Sequence, residues 1–582
     1  MVLRIANCSG FFGDRLSAAR EMVEGGPIDV LTGDYLAELT MAILWRQKGR
    51  DPDAGYASTF LTQMEQVLGT CLDRGIKVVT NAGGLNPRGM AERLEELAAD
   101  LGLAPRLGVV EGDNIVARIP KLMDQGIELR HFDTGVPLAG SGVEAVTGNV
   151  YLGGWGIKAA LEQGADVVVT GRVTDAAVVV GPAAWHFGWD RNDWNALAGA
   201  VVAGHIIECG AQATGGNYSF FRDDLGVPGF PIAEMEADGS SVITKHPGTD
   251  GEVSVGTVTA QLLYEIGSPR YLNPDVTSHF ETIRLTQEGA DRVRVSEVRG
   301  SPPPPDLKVA LNYFGGYRNS MTFGIAGLDV ERKAAVLESA LWDAVGGRAQ
   351  FEVAEMALIR SDRPDPIDTD ASLAYCRFTV KDRDQDKAGR AFSRGAVELV
   401  LSNYPGLFLT GPPGDATPYA VYWPTTIPPA LVPMTVTVGN GLPIEVSSVP
   451  PETATPGLGG TYNVGTSPEN KGTTVKRPLG VVAGARSGDK GGNANVGLWA
   501  MSDRAYEWLR GYLTSDRLLE LMPEAKGLEI ERYELPNLLA INFVIRGLLG
   551  EGVSSSTRTD PQAKSLGEFL RAKLVDMPPG LT

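Results

Sequence analysis

The chain has 582 residues, which is more than one hydrophobic core usually serves, so roughly two or three domains are expected. Apolar residues make up 43% and charged residues 21% of the sequence, values typical of globular proteins, which argues against a disordered or fibrous chain. With 71 acidic and 52 basic residues the net charge is −19, and no basic run interrupts it, so neither nucleic acid nor a membrane surface is expected as a partner.

The cysteines and the N-terminus indicate the compartment. Cys8, Cys71, Cys209 and Cys376 are far apart and form no metal-binding spacing, so reduced thiols are expected. The segment MVLRIANCSG predicts a first strand rather than a signal peptide, and nowhere do about eighteen apolar residues run together. These features predict a cytoplasmic protein.

The first two hundred residues alternate short apolar runs with helical patterns, which is typical of βα units. Strands are predicted in VLRIAN (2–7), IDVLTG (28–33), KVVTN (77–81), LGVVEG (107–112) and ADVVVTG (165–171). The pattern therefore predicts an α/β fold with an open, mostly parallel sheet and helices on both faces.

Polar residues and glycines follow each of these predicted strands, in NCSGFFGD, TGDY, TNAGGLNPRG, EGDN and TGRVTDA. In open parallel sheets, ligands bind in the crevice outside the carboxyl ends of the strands. These loops are therefore expected to share one ligand-binding mouth.

The composition predicts three regions. Residues 1–447 form the α/β domain, with a β-rich, Pro-rich α+β portion at about 215–447. Residues 448–476 are rich in Pro, Gly, Thr and Ser, as in a linker. Residues 477–582 are expected to form a small α+β domain, a ferredoxin-like sandwich.

Signatures of common cofactor and metal chemistry are absent from the sequence. It has no GxxxxGK[ST], HExxH or GxSxG motif, its glycine-rich stretches lack the GxGxxG spacing, and its five histidines are not paired as metal ligands. No cofactor and no metal site is predicted, although a metal site built from Asp and Glu alone stays open.

Two of the predicted loops near the N-terminus carry candidate ligand groups. Asp14 is either a helix N-cap or an acid/base group, and Arg15 beside it is expected to meet an anion. Asn81 and Asn86 offer donors and acceptors next to two glycines that allow close backbone approach. Both asparagines are predicted to orient a substrate.

Two later segments add acid/base candidates. Arg172 and Asp175 are either a helix-capping ion pair or part of the site. In IIECGAQATGGNY, Glu208 after an apolar strand is a candidate acid or base and Gln212 a candidate ligand contact, whereas Cys209 is expected to be a buried packing residue.

The stretch RSGDKGGNANVG (486–497) between two predicted strands is the most distinctive feature of the C-terminal region. It is either an elaborate turn or an anion-binding turn, in which Lys490 and backbone amides act with the polar side chains of Ser487, Asp489, Asn493 and Asn495. We expect the linker to let Lys490 reach the mouth of the α/β crevice, in its own chain or in a neighbouring subunit.

Several of these motifs together resemble the acyclic terpene utilisation protein A family over nearly the whole chain. They are NCSGFFGDR, LTGDYLAELTM, TNAGGLNP, TGRVTDA, ECGAQATGGNY and RSGDKGGNANVG followed by LPNLLAINFVIRGLLGEGV. The resemblance implies a role in citronellol and geraniol breakdown, whose intermediates are branched acyl-CoA esters. It assigns no catalytic residues.

The expected function is an enzyme that acts on a branched carboxylic acid or its CoA thioester by hydration, isomerisation or C–C lyase chemistry. The acid/base candidates are Asp14, Asp34, Asp175 and Glu208. The expected partners are the small-molecule acid or acyl-CoA and further copies of the chain, because open sheets of this size often self-associate. The alternative is a non-catalytic acyl-CoA-binding or scaffold subunit.

Overall fold

The computed structural model describes residues 2–455, 457–460 and 473–581. The chain divides into two compact units, Met1–Asn312 together with Tyr422–Thr582, and Tyr313–Val421. Of the predicted linker, residues 456 and 461–472 lie outside the described residues.

The α-helices of the described residues are, in chain order, α1 (Ala18–Glu24), α2 (Glu38–Lys48), α3 (Thr59–Arg74), α4 (Pro87–Asp100), α5 (Ile119–Asp124), α6 (Trp155–Glu162), α7 (Ala177–Phe187), α8 (Trp194–Ile207), α9 (Val255–Leu262), α10 (Val330–Ala344), α11 (Phe392–Glu398), α12 (Asp503–Tyr512), α13 (Ser515–Leu521) and α14 (Leu566–Arg571). The strands are β1 (Leu3–Asn7), β2 (Val30–Gly33), β3 (Lys77–Thr80), β4 (Leu107–Glu111), β5 (Ala145–Val150), β6 (Val167–Thr170), β7 (Pro231–Met235), β8 (Ser241–Lys245), β9 (Arg270–Leu272), β10 (Thr277–His279), β11 (Arg284–Gly289), β12 (Arg292–Ser296), β13 (Arg299–Ser301), β14 (Leu307–Ala326), β15 (Val353–Arg360), β16 (Leu373–Asp382), β17 (Phe408–Leu409), β18 (Thr417–Ile427), β19 (Met434–Val438), β20 (Ile444–Val446), β21 (Val475–Pro478), β22 (Ala483–Lys490), β23 (Asn493–Ala500), β24 (Ile530–Leu535), β25 (Ala540–Ile545) and β26 (Leu574–Met577).

The large sheet confirms the predicted α/β fold. Its order is β11-β12-β8-β7-β1-β2-β3-β6-β4-β19-β20, and the five strands predicted from the first two hundred residues form its centre. The pairs β1–β2, β2–β3, β3–β6 and β6–β4 are parallel. Antiparallel strands extend both edges, so parallel pairing is confined to the centre.

Alternate side chains of the central strands face opposite layers of helices. Leu31 and Val78 belong to the same buried cluster as residues of α1, α3 and α4. Val30 and Val79, one position away, point to the other face, where α7 packs on β1, β2 and β3. Both faces are therefore covered by helices, which is why these strands are apolar on both sides.

The carboxyl ends of the parallel strands place polar residues along one edge. Asp34, Asn81 and Arg172 follow β2, β3 and β6 directly or one residue later, and Asp113 lies two residues beyond β4. Because parallel strands end at the same edge, these side chains start from neighbouring positions, as the loop pattern predicts.

The prediction that Glu208 follows a strand is wrong. The run WNALAGAVVAGHII forms the buried helix α8, and Glu208 is its C-cap. A continuous apolar run does not distinguish a buried helix from a buried strand, and this run is long enough for about four helical turns. Asn7 Nδ2 donates to the carbonyl oxygens of Ile207 at 2.6 Å and Glu208 at 3.0 Å, which fixes the helix end beside β1.

The C-terminal region forms a separate antiparallel sheet of order β22-β23-β25-β24. Helices α12 and α14 pack on it, around a core that includes Leu498 and Phe543. The stretch 486–497 is a β-hairpin in which β22 and β23 meet at Gly491 and Gly492. The predicted turn is thus only two residues long, and Lys490 is the last residue of β22.

The second compact unit, Tyr313–Val421, has its own sheet and core. Strand β16 pairs antiparallel with β14 on one side and β15 on the other. Helices α10 and α11 supply residues such as Leu337 and Phe392 to a core with Phe323 and Phe378.

Among the described residues, no helix combines the length and apolar composition needed to cross a bilayer.

Candidate active site

A group of charged and aromatic side chains, which we call the charged cluster, is linked by contacts and electrostatic influence at the carboxyl edge of the parallel strands. Its members are Asp34, Glu38, Tyr151, Arg172, Asp175, His205, Glu208, Glu265, Tyr271, Lys308 and Lys490. They come from loops, helix ends and strands that are distant in sequence. All belong to the first compact unit.

Arg172 is the buried cation of the cluster, with a side chain only 3% exposed. Its Nη1 donates to Asp175 Oδ1 at 2.6 Å, and its guanidinium lies 4.2 Å from the centre of the Tyr151 ring. Its Nε is buried without a hydrogen-bond partner in the described part of the chain. A buried donor without a partner is costly, so this atom marks a place where a ligand acceptor would be favourable.

Asp113 holds the backbone that carries Arg172. Its Oδ2 accepts hydrogen bonds from the Arg172 backbone N–H at 2.8 Å and from Asn149 Nδ2 at 2.7 Å. Burial raises the pKa of the Asp113 carboxyl to about 6, although these two donors partly offset the rise. Asp113 is therefore a positioning residue for Arg172.

Glu38 is a carboxylate of the cluster that neighbouring cations keep ionised. Its Oε1 accepts from Tyr151 Oη at 2.8 Å and lies 3.3 Å from Lys308 Nζ. Burial opposes ionisation, but the charges of Lys308 and Arg172 outweigh it and lower the pKa of Glu38 to about 2. Glu38 also opens α2, where the helix dipole favours a negative charge.

Asp34 is a buried carboxyl that follows β2. Its Oδ1 accepts a hydrogen bond from Asn81 Nδ2, while Asn81 Oδ1 accepts from the Tyr35 backbone N–H at 2.8 Å. Burial and the nearby Asp175 carboxylate raise the pKa of Asp34 well above its ordinary value, against the opposing charge of Arg172. The uncharged acid is thus favoured at Asp34.

Glu208 is the second carboxyl held uncharged. Its side chain is 8% exposed, and its Oε1 lies 3.2 Å from His205 Nδ1 one helical turn earlier. Burial, followed by the Asp175 and Glu265 carboxylates, raises the pKa of Glu208 well above its ordinary value. Glu208 Oε2 has no hydrogen-bond partner in the described residues.

His205 is neutral and packed between aromatic rings. Burial and the nearby Lys490 side chain lower its pKa to about 4. Its ring lies 5.1 Å from that of Tyr271 and 5.6 Å from that of Phe280, measured between ring centres. His205 and Glu208 therefore form a buried pair without net charge.

The hairpin carries Lys490 into this cluster from within the same chain, as expected from the sequence. Lys490 Nζ donates to the Glu265 carbonyl oxygen at 2.7 Å and lies 5.6 Å from the centre of the Tyr271 ring. Burial and the positive charge of Lys308 lower the pKa of Lys490. The hairpin thus brings Lys490 to Glu265 and Tyr271 of its own chain, while a position at the mouth of the α/β crevice stays a prediction.

Asp489 lies beside a further lysine. Its Oδ1 is 3.6 Å from Lys564 Nζ, which is also 3.1 Å from Glu265 Oε1. Burial and the Glu265 charge raise the pKa of Asp489 to about 7, against the opposing charge of Lys564.

Three side chains of the hairpin that were predicted to bind a ligand are occupied by the protein itself. Ser487 Oγ accepts from the Gly567 N–H at 3.0 Å, and Asn493 Oδ1 accepts from the Gly547 N–H at 2.8 Å. Asn495 accepts from the Glu265 N–H at 2.8 Å and donates to the Leu263 carbonyl at 3.0 Å. These contacts correct the predicted anion nest, because the side chains dock the hairpin instead.

Four other predicted site residues also have partners within the chain. Asn86 caps α4, accepting from the Gly89 N–H at 3.1 Å. Asp14 accepts from the N–H groups of Gly10 at 2.9 Å and Arg15 at 2.7 Å, so it is a loop-capping residue. Arg15 pairs with a glutamate, Glu21, at 2.8 Å, and Gln212 Oε1 accepts from Arg486. These contacts give each of the four residues a structural role, while Arg15 Nε is also buried without a hydrogen-bond partner in the described residues, so a ligand role stays a prediction.

Six members of the cluster are not predicted from the sequence: Glu38, Tyr151, His205, Tyr271, Glu265 and Lys308. Glu38 is only four residues beyond Asp34, so extending the TGDY loop by one helical turn would have included it. Tyr151 directly follows β5, again a strand exit. Lys308, Glu265 and Tyr271 have no local signature, because only the fold brings them to the cluster.

Metal-binding geometry does not arise among these side chains. Within residues 2–455, 457–460 and 473–581, no group of three or more His, Cys, Asp or Glu side chains is arranged to hold a metal ion. All four cysteines are free, and burial raises the pKa of Cys209 well above its ordinary value, so a reactive thiolate is disfavoured there.

Comparison with known families matches both parts of the chain. The family model described as acyclic terpene utilisation family protein AtuA matches residues 3–438, and that of the AtuA ferredoxin-like domain matches residues 477–576. Comparison with curated proteins gave no match, and comparison with solved structures gave none. The second family match confirms the predicted ferredoxin-like domain. The first family model matches well over half of the chain. The chain therefore belongs to the acyclic terpene utilisation family AtuA.

Proposed function

We propose that the charged cluster is the active site of an enzyme that acts on a branched carboxylic acid or its acyl-CoA thioester in acyclic terpene utilisation. The family supports the metabolic setting. The proposed chemistry is proton transfer by side chains, as in hydration, isomerisation or C–C lyase reactions, with citronellol- and geraniol-derived acids as the substrate class.

The observation that carries this proposal is the contrast between the surroundings of two glutamates in one cluster: Glu38 Oε1 lies 3.3 Å from Lys308 Nζ, whereas no Lys or Arg nitrogen lies within 4.0 Å of the Glu208 carboxyl oxygens in the described residues. Lys308 and Arg172 hold the pKa of Glu38 at about 2 against the effect of burial, whereas burial raises that of Glu208 well above its ordinary value. Environments that separate the pKa values of neighbouring carboxyl groups are how enzymes assign acid and base roles near neutral pH. Glu208 Oε2 is buried and has no hydrogen-bond partner in the described residues, so it is available to a substrate.

The cations of the cluster suit an anionic or carbonyl substrate. Arg172 keeps its Nε unpartnered among the described residues, and its position is fixed by Asp175, the Tyr151 ring and the backbone contact to Asp113. A guanidinium held in this way binds a carboxylate, or stabilises negative charge that develops on a thioester oxygen. Lys308 adds positive charge beside Tyr151, with its Nζ 4.3 Å from the ring centre.

In the proposed reaction, Arg172 and Lys308 orient the substrate and Glu208 donates its proton to the substrate atom that becomes basic. Glu208 then accepts a proton in the next half of the cycle. Asp34 is the second acid/base group in this proposal. A hydrogen bond from Asn81 Nδ2 holds its carboxyl group in place. A positioned acid of this kind contributes roughly 10²- to 10⁴-fold to the rate.

Isosteric substitution of Glu208 tests the proposal. The protein is incubated with branched saturated and unsaturated acids and their CoA thioesters, and products are measured by mass spectrometry. Glu208→Gln is expected to lower kcat by roughly 10²- to 10⁴-fold while ligand affinity changes little, because only the transferable proton is removed. Glu236→Gln, which alters a surface ion pair with Arg294, is the matched control.

Two results would contradict the enzyme proposal. One is full turnover by Glu208→Gln under conditions where Glu236→Gln is also active. The other is tight binding of an acyl-CoA by the wild-type protein without any product, which would indicate the alternative of a non-catalytic binding or scaffold subunit.

The remaining parts of the proposal concern the setting of this activity. We propose action in the cytoplasm as a homo-oligomer, with the acid or acyl-CoA as the only small-molecule partner and no bound cofactor. The acidic net charge of −19 supports the exclusion of nucleic acid and anionic membrane surfaces. Size-exclusion chromatography with light scattering measures the oligomeric state.

A further inference from the structure

We propose that Lys490 is an amine nucleophile that forms an imine with a keto group of the substrate, so that the substrate class includes oxo acids or their thioesters. This inference rests on the proposed function of the charged cluster. It changes the role of Lys490 from binding an anion to forming a covalent bond.

Lys490 differs from the other two lysines near the cluster in its ion pairs. Lys308 Nζ lies 3.3 Å from Glu38 Oε1, and Lys564 Nζ lies 3.1 Å from Glu265 Oε1. Lys490 has no carboxylate oxygen within 4.0 Å among the described residues, and its Nζ donates to a neutral acceptor, the Glu265 carbonyl oxygen. A neutral amine satisfies that hydrogen bond with one N–H and keeps its lone pair for a substrate carbonyl.

The surroundings of Lys490 lower the pKa of its amine, which increases the fraction of the neutral form that nucleophilic attack requires. Burial and the positive charge of Lys308 lower its pKa, although the Glu265, Glu38 and Asp175 carboxylates act in the opposite direction. Desolvation next to a second cation is a recognised way to activate a lysine for imine formation.

Lys490 and the Glu208 acid are linked through two aromatic side chains, and the charge of Lys490 acts to lower the pKa of Glu208. Lys490 Nζ is 5.6 Å from the centre of the Tyr271 ring, whose centre is 5.1 Å from that of the His205 ring. His205 Nδ1 is in turn 3.2 Å from Glu208 Oε1. The amine and the acid of the cluster are therefore connected through the rings of Tyr271 and His205.

In the proposed step, Glu208 donates one proton and later takes one back, so atoms and charges balance. The Lys490 amine adds to the ketone carbon to give a carbinolamine, and Glu208 protonates the hydroxyl group, which leaves as water. The protonated imine then loses a proton from the adjacent carbon to the Glu208 carboxylate, which gives an enamine and restores the acid. The net change is ketone plus amine to enamine plus water, with no oxidant or reductant.

The hairpin holds Lys490 on a rigid support. Gly491, directly after Lys490, has φ +65°, and a Cβ there would come within 2.8 Å of the Tyr422 ring. Two residues earlier, a Cβ on Gly488 would come within 2.6 Å of the Tyr264 ring. The glycines thus allow close docking, and a nucleophile on a docked strand end keeps a fixed position.

Reductive trapping tests this role. The full-length protein is incubated with sodium cyanoborohydride and either acetoacetate or 4-methyl-2-oxopentanoate, and adducts are mapped by intact-mass and peptide mass spectrometry. We expect one reduced adduct per chain on the peptide that contains Lys490. In Lys490→Arg, whose guanidinium forms no imine, the adduct is expected to fall by at least about tenfold.

The control is Lys245→Arg, which alters a buried lysine outside the cluster that is paired with Asp291 at 3.1 Å. This variant is expected to keep the adduct, and circular dichroism with thermal melting checks that both variants fold. No adduct with either oxo acid on the wild-type protein, or an equal adduct in folded Lys490→Arg, would overturn the inference.

The outcome is separable from that of the proposed function. Loss of turnover in Glu208→Gln without any trapped adduct would leave the acid/base proposal intact and refute the imine. A Lys490 adduct together with full turnover by Glu208→Gln would support the imine and refute the proton-transfer role of Glu208.

Discussion

His205 and Glu208 form an uncharged pair at the end of α8, with His205 Nδ1 3.2 Å from Glu208 Oε1. Burial lowers the pKa of the histidine to about 4 and raises that of the glutamic acid well above its ordinary value. The proton therefore stays on the carboxyl group at a pH where an exposed glutamate would be ionised. An acid that remains protonated near neutral pH can donate a proton to a substrate.

The pH dependence of turnover follows from this pair. If Glu208 acts as the proton donor, kcat/KM falls as the pH rises through its raised pKa, and the descending limb lies above the ordinary glutamate value of 4.5. The measurement is the pH profile of the wild type and of Glu208→Gln, in which any residual activity is expected to lack that limb. Activity that instead increases with pH around 4.5 would contradict an acid role.

Glu38 makes stability depend on pH in acid. Lys308 and Arg172 outweigh burial and lower its folded-state pKa from 4.5 to about 2. Its ionic contribution is therefore fully present above about pH 4.5 and is lost as the pH falls towards 2. Because the Lys308 and Glu38 side chains are 39% and 27% exposed, solvent screening reduces this contribution, and its loss in acid is the expected signature.

The measurement is the free energy of unfolding of the wild type and of Glu38→Gln between pH 7 and pH 3. The difference between them is expected to shrink as the pH falls, because the wild type loses the contribution that the variant never had. Glu96→Gln, at an exposed ion pair with Arg93, is expected to show no such trend. A constant difference between Glu38→Gln and wild type across this range would contradict the assignment.

Asn495 is expected to be important for docking the hairpin. Its side chain accepts from the Glu265 N–H and donates to the Leu263 carbonyl and to Asn542 Oδ1 at 2.6 Å, all in a buried setting. Asn495→Ala leaves these groups without partners, and a loss of roughly 2–4 kcal/mol in unfolding free energy is expected. Denaturant titration measures this unfolding free energy. The control is Asn192→Ala at an exposed position, which is expected to change stability by less than about 0.5 kcal/mol. Equal stability of both variants would mean that Asn495 does not anchor the hairpin.

The centre of the fold follows from short-range patterns in the sequence. Apolar runs such as KVVTN and ADVVVTG have the length and β-branched content of buried parallel strands, and polar residues after them mark the strand exits. The strand-exit pattern alone is enough to single out Asp34, Asn81, Arg172 and Asp175 as site candidates. The strand predicted before Glu208 is wrong because an apolar run buried on every side, as in α8, has no periodicity to separate helix from strand.

The rest of the site depends on long-range contacts. Lys308 lies 270 residues from Glu38 in sequence, and only the fold brings the two side chains together. Ser487, Asn493 and Asn495 have the composition of an anion site, but their hydrogen-bonding groups are used by backbone atoms of distant segments. Composition alone does not reveal whether a polar group is free for a ligand.

A crystal structure of the protein with a branched acid or its CoA thioester tests the central claim most directly. The claim predicts the ligand's carboxylate or thioester carbonyl at hydrogen-bond distance, about 3 Å, from Arg172 Nε, with Glu208 Oε2 facing the reacting carbon or oxygen. Both are buried atoms of the cluster that lack hydrogen-bond partners in the described chain. A ligand bound elsewhere at saturating concentration, with Arg172 and Glu208 unchanged, would contradict it.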